Sequence, residues 1–108
     1  MEMNEYQVGA LKTAEYTNTE VVWSQLPEEV GEIFALKKRY LRGDLPFWDF
    51  KINLHKEIGD VLWTLSVLAD DMGMSLEEIA RENLNKLKDR QDRGVLKGAE
   101  IGRASCRE

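Results

Sequence analysis

The chain has 108 residues and a formal net charge of −5, from 20 acidic against 15 basic side chains. That length suits one domain, and 43% hydrophobic with 32% charged residues suits a soluble globular protein rather than a disordered one. The acidic balance argues against a broad basic face for nucleic acid, no apolar run reaches the roughly 18–20 residues of a membrane span, and the single cysteine, Cys106, excludes an internal disulfide.

The opening MEMNEYQVGA has no basic region followed by an apolar stretch, so no secretory signal is expected and a cytoplasmic protein is. Good helix formers dominate, and no segment alternates apolar and polar residues as a half-buried strand does. Met3 to about Tyr16 reads as a first helix with Tyr6, Ala10, Leu11 and Ala14 near one face. Thr17-Asn18-Thr19-Glu20 has the form of a capping box and starts a second helical segment. Pro27 predicts a kink or a break at Ser24–Pro27, because it has no N–H for the helical ladder, with helix resuming to about Leu41.

Arg42-Gly43-Asp44-Leu45-Pro46 is a loop, and a long helix follows over about Asp49–Met72. Its apolar stripe is read as Leu54, Ile58, Val61, Leu62, Leu65, Leu68 and Met72, with Gly73 as its stop. Ser75-Leu76-Glu77-Glu78 is a second capping box, opening a last helix from Leu76 to about Gln91 that buries Leu76, Ile79, Ala80, Leu84 and Leu87. Residues 1–98 read as the domain. The tail AEIGRASCRE, residues 99–108, has no periodicity and is expected to be disordered and to fall outside the native domain.

Two acidic motifs interrupt the apolar pattern: Glu28-Glu29-Val30-Gly31-Glu32 on the second helix and Glu57-Ile58-Gly59-Asp60 on the third. At about 100° per residue, Glu29 falls inside the arc of Val22, Leu26, Val30, Ile33 and Leu36, and Glu57 at the edge of the arc of Leu54, Ile58, Val61, Leu65 and Leu68. Glu32 and Asp60 follow one turn on, about 60° to the same side. Burying unpaired carboxylates costs several kcal/mol each, and a hard divalent cation such as Mg²⁺ or Mn²⁺ offsets that cost between oxygen ligands. Glu28 belongs either behind the ligand set or on the surface. Gly31 and Gly59, each costing about 1 kcal/mol in a helix relative to Ala, suggest a close approach of helices. Glu-x-x-Glu pairs are also common on solvated helix faces, so the weight lies in two pairs with matching angles beside apolar stripes.

These motifs resemble the MazG-like all-α nucleoside triphosphate pyrophosphohydrolases. The likeness extends from NEYQVGALKTA at Asn4–Ala14 to the segment Lys56–Gly94 and takes in Asn83-x-x-Lys86-x-x-x-Arg90. The resemblance implies an all-α, four-helix bundle whose core is completed by a second copy, as a homodimer or homotetramer. It implies hydrolysis of a nucleoside triphosphate between the α- and β-phosphates, giving the monophosphate and pyrophosphate. Glu29, Glu32, Glu57 and Asp60 would then hold Mg²⁺, Mn²⁺ being a substitute, while Lys86 and Arg90 contact phosphates and Asn83 the nucleotide. Pro27 departs from the family's usual helix-compatible residue.

The residues support direct attack by water, for which Glu28 or Glu29 is the candidate general base, since no nucleophilic Ser or Cys constellation and no Gly-rich phosphate loop is present. Phe47, Trp48 and Phe50 are expected to anchor the loop, with base stacking open for Trp48 and Trp23, and His55 is read as a surface group. Trp63 and Val67, away from the main stripe, are read as the patch against which another helix packs. Two other classes stay open: a non-catalytic helical interaction module, and a sibling dUTP/dCTP or phosphoribosyl-ATP pyrophosphohydrolase. A role in nucleotide-pool housecleaning fits the principal reading.

Overall fold

A computed structural model describes residues 1–94 of the chain. They divide into a first compact unit, Met1–Leu76, and a second that begins at Glu77. Four helices follow in order, α1 (Met3–Lys12), α2 (Thr19–Leu41), α3 (Phe47–Asp71) and α4 (Leu76–Asp92), with no strand among the described residues. The expected all-α class is what the chain adopts. No helix among the described residues is long and apolar enough to cross a membrane. Residues 99–108 and Cys106 lie outside the described residues.

The helix ends follow local chemistry. The side chain of Asn18, rather than of Thr17, caps α2, accepting from the Glu20 N–H at 2.9 Å. Past α2, Gly43 adopts φ +81° while the Gly43 and Asp44 N–H groups bond back to Tyr40 and Arg39, both at 3.0 Å. Past α3, Gly73 at φ +70° does the same, its N–H reaching Asp70 at 2.9 Å and that of Met74 reaching Ala69 at 2.7 Å. Both ends have the two back-bonds of a Schellman stop, which needs the left-handed conformation that glycine adopts without penalty.

Three expectations about the elements are corrected. α1 ends at Lys12 rather than near Tyr16. The reason is tertiary: Trp63 Nε1 donates to Ala10 O at 3.2 Å and to Thr13 Oγ1 at 2.8 Å, tying off the end of α1. Of the kink or break expected at Ser24–Pro27, the break does not occur, since α2 runs through Pro27. The ladder loses one donor there, and the long packing of α2 on α3 holds the helix together across the gap. α3 begins at Phe47, two residues early, so the aromatic run belongs to its first turn. Of that run, Phe50 is the anchor, stacked on Tyr40 at 4.6 Å, whereas Phe47 and Trp48 are exposed.

The buried face of α3 is also rotated from the one expected. Thr64, Val67 and Leu68 are inside, and Val67 and Leu68 form the core with Val22 of α2, against which Leu11, Ala14, Tyr16, Leu26 and Trp63 pack. Trp63 and Val67 therefore face the chain's own α1 and α2 rather than a separate partner. Ile58, Leu65 and Met72, predicted as core, are exposed. The periodicity located an amphipathic helix, but α3 carries apolar residues on more than one side, and only the positions of α1 and α2 decide which side is buried. On α4, Leu76 is buried as expected, while Ile79, Leu84 and Leu87 are exposed.

Candidate metal centre

The acids sit on lines of the helices that are otherwise core. Glu29 lies seven residues after Val22 and seven before Leu36, both buried, so all three share one side of α2. On α3, Glu57 is followed seven and eleven residues on by Thr64 and Leu68, and Asp60 four and seven residues on by Thr64 and Val67. Glu57 is thus central to the α2-facing side rather than at its edge. Thr64 is 1% exposed and donates its hydroxyl to Asp60 O at 3.0 Å, so the buried turn beside the acids is satisfied internally.

The packing of α2 on α3 brings Glu29, Glu57 and Asp60 together, with one carboxylate oxygen of each within 4.8 Å of the others. Glu29 and Glu57 are half-buried and Asp60 is exposed, so the group opens to solvent on one side. Partial burial pushes the Glu29 carboxyl above its ordinary value, and the carboxylates of Asp60, Glu57, Glu32 and Glu28 push it further. Glu57 is raised in the same way, by burial and then by Asp60 and Glu32. Every charge acting on the two is negative, and among the described residues no basic side chain pairs with Glu29, Glu57 or Asp60.

The donor set fits a hard divalent cation. Oxygen ligands at about 2.1 Å from Mg²⁺ stand roughly 3–4 Å apart, close to the separation already present. Glu32, expected as a fourth ligand, lies outside the group of three but within reach of its charge. Glu28 is exposed, and its charge bears on Glu29. Asn83, Lys86 and Arg90 are on α4 in the second unit, where Asn83 and Lys86 line a shallow hollow with Ile79 and Glu82.

One neighbour escaped the sequence reading. Tyr6 of α1, placed there only near one face of the first helix, is half-buried, and its phenol is raised above its ordinary value by burial and by the charge of Asp60. The signal was absent because the pairing of α1 with α3 is not encoded in the spacing of either helix. The two tryptophans considered for base stacking point elsewhere. Trp48 is nine residues before Glu57, about 180° around α3, and Trp23 Nε1 donates to Asp71 Oδ2 at 2.9 Å. Gly31 and Gly59 do not serve close packing among the described residues either, since a Cβ built on them meets nothing within 4 Å.

A family model described as the MazG nucleotide pyrophosphohydrolase domain matches residues 17–95, a span that contains both acidic motifs and α4. The chain is 33% identical over 110 residues to the "Gene 37 protein" of Mycobacterium phage L5, an alignment covering 92% of this chain and 96% of that one. No solved structure gives a significant match. With its acidic helix pairs and this match over most of its length, the chain belongs to the MazG nucleotide pyrophosphohydrolase domain family.

Proposed function

We propose that the chain hydrolyses nucleoside triphosphates, ribo or deoxy, between the α- and β-phosphates, releasing the monophosphate and pyrophosphate, with Mg²⁺ as the cation and Mn²⁺ as a substitute. The observation that carries this reading is the convergence of Glu29, Glu57 and Asp60 from two helices, with no basic side chain among the described residues paired to them. A bound Mg²⁺ supplies positive charge against the triphosphate and lowers the pKa of coordinated water.

The chain's own residues divide the remaining work. Glu29, Glu57 and Asp60 hold the cation, and Glu32 adds negative charge beside them. Glu28 or Glu29 orients the attacking water and takes its proton. Lys86 and Arg90 bind phosphate oxygens and offset the charge that develops on the leaving pyrophosphate, and Asn83 contacts the nucleotide. A homodimer or homotetramer is the proposed working form, and removal of unwanted nucleotides from the pool is the proposed role.

The test is product analysis over a panel of canonical and modified NTPs and dNTPs with Mg²⁺, including dUTP, dCTP and phosphoribosyl-ATP. Monophosphate and pyrophosphate are the expected products, and the preferred substrate separates a general enzyme from its siblings. Diphosphate and inorganic phosphate, or no turnover at all, would contradict the proposal. A Glu28→Gln variant that binds Mg²⁺ and turns over normally eliminates Glu28 as the base.

A further inference from the structure

Gln7 is a buried polar side chain with every hydrogen-bonding group placed. It is 7% exposed. Its Nε2 donates to Ser66 O at 3.1 Å and to Met74 O at 3.2 Å, and its Oε1 accepts from the Leu76 N–H at 3.1 Å. The two carbonyls only accept and the N–H only donates, so one orientation of the amide satisfies all three. Gln7 thus ties α1 to the end of α3, to the turn after Gly73, and to the first residue of α4. The N–H groups of a first helical turn have no partner within their own helix, and here a side chain from another helix takes the first of them. An outer bond, Ser75 Oγ to Asn4 Oδ1 at 2.9 Å, joins the same two segments. α1 lies before residues 17–95, the span of the family match, so that match assigns nothing to Gln7.

We propose that Gln7 is a positioning residue for the reaction: it fixes the point from which α4, the helix carrying Asn83, Lys86 and Arg90, sets out. The proposal rests on the function argued above, because it concerns how those residues are presented to substrate. A side chain that served only general stability would affect cation and substrate handling alike. The hydrogen bonds of Gln7 go to Ser66, Met74 and the first residue of α4 and to none of the acids, so its loss falls on triphosphate binding and spares the cation.

The experiment compares wild type, Gln7→Met and Asn4→Ala. Gln7→Met keeps the length of the side chain and removes all three bonds, and Asn4→Ala loosens only the outer link. With saturating Mg²⁺, KM for the preferred triphosphate rises roughly three- to tenfold in Gln7→Met, the scale of one hydrogen bond, and less in Asn4→Ala. Mn²⁺ affinity, read by electron paramagnetic resonance without nucleotide, is unchanged. In wild type alone, which removes any concern over folding of the variant, hydrogen exchange shows the Leu76 amide protected despite its place in a first turn. An unprotected Leu76 amide, an unchanged KM in Gln7→Met, or a parallel loss of Mn²⁺ affinity would overturn the proposal. Absence of turnover by wild type would instead overturn the reading on which it rests.

Discussion

Glu29 and Glu57 show at the scale of single residues how gathering carboxylates in a partly buried place opposes stability. Both carboxyls are raised by burial and by neighbouring carboxylates, so the folded chain holds their protons more tightly than the unfolded chain, where the ordinary value is 4.5. Stability without metal therefore carries a penalty above the raised values, is relieved as pH falls through them, and is free of it below the ordinary value. Divalent cation binding runs the other way, because ligands must be ionised. Glu29→Gln is expected to raise the thermal midpoint of the metal-free protein near neutral pH and to flatten its dependence on pH, and to reduce the further stabilisation expected on adding Mg²⁺. A lower midpoint in Glu29→Gln than in wild type, both without metal, would contradict this. The helical glycines give a second test. Nothing lies within 4 Å of a Cβ on Gly31 or Gly59, so alanine at either position is expected to stabilise by about 0.5–1 kcal/mol in denaturant unfolding. A loss of stability would show that something absent from the single chain approaches there.

At the scale of the elements, Pro27 and Trp63 act in opposite senses. Proline inside a helix costs about 3 kcal/mol, and α2 tolerates it because packing on α3 compensates. Pro27→Ala is therefore expected to raise stability by roughly 1–3 kcal/mol, read by chemical unfolding, and no gain would mean that α2 exploits the missing donor. Trp63→Phe keeps an aromatic ring but removes the bonds to Ala10 and Thr13 and part of the indole's packing, with an expected loss of at least about 1–2 kcal/mol. These elements also show what was legible in advance. Gly43 and Gly73 stops, the start at Leu76 and the acidic pairs are local signals carried by a few adjacent residues, and they could be read from the chain. The early end of α1, the continuity of α2 and the buried side of α3 depend on what each helix meets. The acid pairs could be placed by angle on either helix, whereas the convergence of three of the four, with Tyr6 beside Asp60, needed the packing of α2 and α1 on α3.

At the scale of the whole molecule, the negative charge and the exposed apolar residues have separate explanations. Part of the net charge of −5 is gathered where a cation can answer it, and bound Mg²⁺ at about 100 times its dissociation constant would stabilise the fold by roughly 2.7 kcal/mol. Val30, Phe34 and Leu41 on α2, with Ile58, Leu65 and Met72 on α3, remain exposed in the single chain, an arrangement that suits burial against another copy. Light scattering is expected to give a dimer or tetramer, and a monodisperse monomer at micromolar concentration would contradict that assembly. The central claim, that carboxylates from two helices build one cation site, is tested most directly by titrating Mn²⁺ into wild type, Glu29→Gln and Glu57→Gln under electron paramagnetic resonance. Saturable binding is expected in wild type and at least about tenfold weaker binding, 1.4 kcal/mol or more, in each variant although the two residues belong to different helices. Binding of equal strength in all three proteins, or none in wild type, would contradict it.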